Sequence, residues 1–133
     1  MRPLRSGLVA VGLILVGAQP ALGNPGDIAV GGVWVCRITQ DAFGLTAQQR
    51  AVQMTRQITE VLSAPKLRQG AVVSVRAKGS DVVIMVGQQT VVTVAPADAR
   101  GTSVSTIELA RQWAQRLALG LSKALPDAQF HTF

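Results

Sequence analysis

Cysteine, histidine and aromatic side chains are nearly missing from this chain. Among 133 residues there is one Cys, one His and no Tyr, and Phe and Trp together bring aromatics to only 4%. A lone Cys excludes a disulfide framework within the chain, and one Cys with one His excludes a zinc site of ordinary Cys/His spacing. Charge is sparse as well: charged residues make up 15% of the chain against 48% from the hydrophobic set, which is the composition of a folding chain and not of a disordered polyelectrolyte. The length fits one domain. Acidic residues are the scarcer sign, 7 against 13 basic, for a formal charge of +6. That excess points to an anionic partner only to the extent that its basic residues belong to the mature protein.

What is present begins with an address. Arg2 and Arg5 form a positive start, Gly7 to Ala18 form an apolar run, Gln19-Pro20 breaks it, and Ala21-Leu22-Gly23 offers a small-residue cleavage site. This is the three-part layout of a secretory signal peptide. A spanning helix needs roughly 20 apolar residues, so the run is too short for a stable anchor. The expectation is export to the periplasm or beyond, with cleavage after Gly23 and retention as an anchor as the competing outcome. Losing residues 1–23 removes Arg2 and Arg5 and lowers the charge from +6 to +4. The remainder divides into a single domain over 24–125 and a flexible tail over 126–133, where no periodicity survives Pro126.

Within the domain, Asp27 to Ile38 carries two β-rich runs around Gly31-Gly32, and a Gly-Gly pair suits a type I′ hairpin turn. A single kinked strand is the competing reading. Thr46 with Gln49 forms a capping box, and Ala51, Met54, Ile58, Val61 and Leu62 recur at helical spacing until Pro65 stops them. Gly70 to Ala95 then reads as three strands, broken at Gly79-Ser80 and Gly87-Gln88 where type II′ turns place glycine first. The middle run, Val82 to Val86, is apolar throughout, so both its faces should be covered. Ser105 with Glu108 caps a second helix, whose Leu109, Trp113, Leu117 and Leu121 repeat every four residues up to Pro126. The expected fold is α+β, in the order β(β)αβββα, with two amphipathic helices packed on one face of a small antiparallel sheet.

Short stretches of this chain resemble a known family. Leu45 to Ala51 (LTAQQRA), Val91 to Ala99 (VVTVAPADA) and Glu108 to Ala114 (ELARQWA) are similar to segments in the extracytoplasmic N-terminal domain of bacterial, especially cyanobacterial, small-conductance mechanosensitive channels. The likeness runs over Val30 to Leu125. Those channels continue into several membrane helices and a pore, whereas this chain stops after the domain. The resemblance therefore implies a free-standing, envelope-facing module, accessory to a membrane channel, and not a channel.

The chemistry-bearing residues form no catalytic constellation. Cys36 would need a base, and the only His is His131 in the expected tail. A buried thiol is the plain reading of Cys36, with an intermolecular disulfide as the alternative in an oxidising compartment. The carboxylates show no paired spacing. Asp98 and Arg100 lie in the loop between the last strand and the last helix, where function often sits, but an Asx turn or a salt bridge from Asp98 to Arg50 or Arg100 accounts for Asp98 equally well. Gly101 to Ser105 lacks the Lys and second Gly of a phosphate loop. Trp113 reads as core, and Trp34 reads as a partner site if its strand edges the sheet and leaves it exposed. The basic residues are scattered over every element without interleaved aromatics, which excludes nucleic acid and leaves a weak attraction to anionic lipid or an envelope polyanion.

The functional expectation is a non-catalytic, cofactor-free and metal-free extracytoplasmic module, not an enzyme, that binds an envelope or membrane protein. Trp34, Cys36, Asp98 and Arg100 are the candidate interaction residues, and a homodimer is open to it. The alternative is a small-ligand-binding protein with an apolar pocket between sheet and helices.

Overall fold

The computed structural model describes residues 19–20, 26–67 and 69–132. The cleavage site after Gly23 and the rest of the signal-peptide reading, Gln19-Pro20 apart, lie outside the described residues. The fold is α+β. A short sheet has the order β1-β2-β3, where β1 is Gln19–Pro20, β2 is Asp27–Val30 and β3 is Val33–Arg37. Helix α1 spans Ala47–Ser63. It is followed by a 3-10 turn at Pro65–Leu67 and by strands β4 Gly70–Lys78, β5 Asp81–Val86 and β6 Gln89–Val94. A one-turn helix α2, Pro96–Ala99, leads to α3, Thr106–Ala124, and then to β7, Gln129–Thr132.

The hairpin turns follow their glycines. Gly31 and Gly32 have φ of +60° and +80°, as a type I′ turn requires, and Val30 pairs directly with Val33. At Gly79-Ser80 and Gly87-Gln88 only the glycine is left-handed, with φ of +64° and +59°, which is the type II′ arrangement. Both long helices carry the expected capping boxes, Thr46 with Gln49 and Ser105 with Glu108. The main departure is at the C-terminus. Residues 129–132 were expected to fray; instead they form β7, which pairs in parallel with Gly70–Val73 and makes the second sheet mixed, in the order β6-β5-β4-β7. Phe130 explains the change, since it is only 7% exposed and joins the core beside Ala128. Burying one such side chain contributes about 1.5–3 kcal/mol, enough to order a short strand.

Val73, Ile84, Val86, Val92 and Val94 form the inner face of the four-stranded sheet and share one core with Met54, Ile58 and Val61 of α1 and Trp113, Leu117 and Leu121 of α3. The middle strand is largely covered, as expected, with Val82, Val83, Ile84 and Val86 buried and Met85 half-buried. The β2–β3 hairpin packs on the same helices. Gly31 at its turn approaches the Gly120 carbonyl, and a Cβ on Gly120 would sit 2.6 Å from the Val30 carbonyl oxygen. Each sheet has one bulge. Val35 is the extra residue in β3 and Val91 in β6, so Val35 and Cys36, like Val91 and Val92, are consecutive yet both buried.

Candidate functional site

Arg50 and Asp98, 48 positions apart in sequence, meet in the interior, each side chain 3% exposed. The contact is bidentate, with Nη1 donating to Oδ1 at 2.9 Å and Nη2 to Oδ2 at 2.8 Å. The same two nitrogens also donate to the Gln40 carbonyl at 2.7 Å and the Thr93 carbonyl at 3.1 Å. Asp98 Oδ2 accepts from the Ala95 backbone N–H at 2.8 Å. The pair thus ties together α1, the loop before it, the end of β6 and α2. Every one of these contacts is internal, so the Asp98 carboxylate is not presented to a partner. Of the two salt bridges open to Asp98, the structure forms the one to Arg50, while Arg100, the residue that ends α2, is exposed and does not pair with Asp98. Asp98 therefore leaves the set of interaction residues and becomes a structural link.

Cys36 leaves that set too. It is 0% exposed, with its thiol 3.8 Å from the Met54 sulfur, and burial together with the nearby Asp98 charge pushes the thiol pKa far above its usual value. A group so placed is neither a nucleophile nor a disulfide partner in the folded protein. The bulge at Val35 is the cause, because it turns Cys36 towards α1. His131, the only histidine, is exposed on β7 and pairs in the sheet with Val72 of β4. Asp41 caps the N-terminus of α1 through the Ala47 N–H at 2.8 Å, and Glu108 caps α3. Among the described residues no group of three His, Cys, Asp or Glu side chains could hold a metal ion.

Trp34 is the residue of the expected set that faces outward in force. It is 45% exposed on β3, an edge strand of its sheet, and two neighbours hold it. Its indole N–H donates to Asp27 Oδ1 at 3.2 Å. Asp27 is in turn clamped by Arg37, at 2.7 Å from Nε and 3.3 Å from Nη2. The guanidinium of Arg116, from α3, lies 5.1 Å from the Trp34 ring and donates to the Val35 carbonyl at 3.2 Å. The Arg37 hydrogen bond, with that of Trp34 adding to it, holds the Asp27 carboxyl below its usual range against the opposing effect of desolvation. The result is an aromatic plate fixed by Asp27 and Arg116, and Trp and Arg are the residue types that dominate binding hot spots. Arg37 and Arg116 were not singled out from sequence, since neither lies within helical or strand spacing of Trp34 in a way that marks them as its partners.

A second aromatic was also missed. Phe43 is 50% exposed and has φ of +57°, in a two-residue turn with Gly44 that Ala42 and Leu45 close. Its ring lies 5.5 Å from the Arg50 guanidinium. Here a cleft of about 250 Å³ opens between α1 and β6, floored by Arg50 and Met54 and walled by Phe43, Val91 and Thr93. That is below the usual range for small-molecule sites, about 300–1,000 Å³. Larger depressions, of about 570 and 790 Å³, lie on the outer face of α1 and beside the Pro65 turn, away from the space between sheet and helices.

Fold and surface together define a small α+β domain with Trp113 and Phe130 in its core and Trp34 and Phe43 exposed on its surface. The chain belongs to the family described as Domain of unknown function (DUF8459), whose model matches residues 27–124. No curated protein and no solved structure matches it.

Proposed function

We propose that this chain is a non-catalytic extracytoplasmic module that docks a protein of the cell envelope through the Trp34 face. The observation that carries the reading is Trp34 itself, half exposed yet already fixed by Asp27 and Arg116. A side chain ordered before binding loses little entropy on contact, so its buried area goes into affinity. The signal-like N-terminus supports an extracytoplasmic location, and no helix among the described residues is long and apolar enough to cross a membrane. The likeness to channel extracytoplasmic domains supports a membrane protein as the partner. Cleavage after Gly23 removes β1, a two-residue pairing, and leaves the β2–β3 hairpin resting on α3.

Photo-crosslinking from position 29, the cross-strand neighbour of Trp34, in intact cells tests the reading. The expected result is one discrete adduct with an envelope protein, lost in Trp34→Ala while thermal unfolding of the variant stays unchanged. An adduct that persists in Trp34→Ala, or a purified protein that turns over a substrate and forms no adduct, overturns it.

A further inference from the structure

Strand β4 is longer than the neighbour on its outer side. β7 pairs only with Gly70–Val73, whereas β5 pairs with Val73–Lys78 on the other side. Among the described residues, β4 from Ser74 onward is therefore an open sheet edge. The Lys78–Asp81 pair closes a two-residue turn, so the alternation of an antiparallel ladder directs the N–H and C=O groups of Val75 and Ala77 away from β5. Among the described residues those groups have no strand partner. A cleft of about 150 Å³ lies under this edge, with Val73, Val75 and Ala114 as its apolar lining and Arg111, Gln115 and Thr132 around them.

We propose that this edge is a strand-addition site for an extended, acidic segment of a protein partner. The added strand takes the Val75 and Ala77 backbone groups, in line with β7, and sets one small aliphatic side chain into the cleft. Charge selects the occupant. Arg76 and Lys78 are exposed on the edge strand and Arg111 is exposed on the cleft wall. Of the acids, Glu108 is committed to its helix cap, and Asp81 is the cross-strand partner of Lys78. A second copy of this chain is disfavoured, because two such edges would set Arg76 and Lys78 against their own kind. The proposal extends the binding reading to another face and names the partner's chemistry; it does not depend on Trp34, so either can fail alone.

The probe is a blocked hexapeptide alternating Val and Glu, with its Val/Lys counterpart as control, titrated against the purified protein with amide hydrogen exchange as a second readout. The Glu peptide is expected to bind about tenfold or more tightly than the Lys peptide and to slow exchange at Val75 and Ala77. Binding is expected to be lost in Ala77→Pro, which removes an edge N–H that the fold does not use, and weakened in Arg111→Glu, with Trp34→Ala having no effect. Equal binding of both peptides, no binding, or Val75 and Ala77 amides already protected in the free protein overturns the proposal.

Discussion

Arg50 and Asp98 bring opposite charges into a place where water reaches neither, and such burial is tolerable only while both are present. Asp98→Ala leaves a guanidinium facing two carbonyls without a counterion, and is expected to lower unfolding stability by about 3–5 kcal/mol in urea melts. The double variant Arg50→Met/Asp98→Leu is expected to lose less than either single variant; equal or additive losses would contradict a role as a coupled pair. Asp27 governs a different residue. Because Arg37 holds its carboxyl below the ordinary range, the stability it contributes is complete above about pH 4 and is lost as pH falls through its lowered folded value. Trp34 fluorescence, read in a Trp113→Phe background, is therefore expected to shift at a pH below about 3.9 as the carboxylate that accepts from the indole loses its charge, and Asp27→Asn is expected to abolish that shift. At this scale the sequence was partly legible. Asp98 could be assigned a basic partner but not which one, since the choice between Arg50 and Arg100 depends on how α2 turns. Cys36 could be assigned either outcome, because a bulge at Val35 leaves no trace in residue pattern.

Elements were easier to read than their junctions. Capping boxes and helical spacing specify both long helices because those signals are local, and the glycine turns specify three hairpins for the same reason. The parallel strand β7 was not legible, since its partner lies some 60 positions earlier and its four residues show no alternation beyond Phe130. The contact between the β2–β3 hairpin and α3 was equally silent, although it left one clue. Gly120 lies within the last turns of a long helix, where glycine costs about 1 kcal/mol relative to alanine, and a helix keeps such a residue when something needs its space. Here the Val30 backbone occupies that space. Gly120→Ala is thus expected to destabilise the protein by about 1–3 kcal/mol despite its better helix propensity, as judged by denaturant midpoint. An exposed control, Gln112→Ala, should fall within about 0.5 kcal/mol of the parent. A stabilised Gly120→Ala would mean that the hairpin does not rest on α3 in solution.

The molecule as a whole presents two sheets that share one core with α1 and α3, which raises the question whether it unfolds as one unit. Cys36 lies where the answer can be read, for it belongs to the hairpin sheet and touches Met54 of α1 in the common core. One core of this size favours two-state unfolding. No disulfide constrains the described fold, and the single thiol is buried. A thiol-specific reagent is therefore expected to leave the native protein unmodified over minutes and to react only when the core opens. If opening is global, the free energy obtained from labelling rates in the fast-reclosing regime equals that from urea unfolding, and both fall together in Asp98→Ala. A labelling free energy well below the global value would show instead that the β2–β3 hairpin lifts from α1 and α3 on its own, carrying the Trp34 face with it. In that case the docking surface would not be fixed before its partner arrives, and the entropy argument for Trp34 as a preformed anchor would fail.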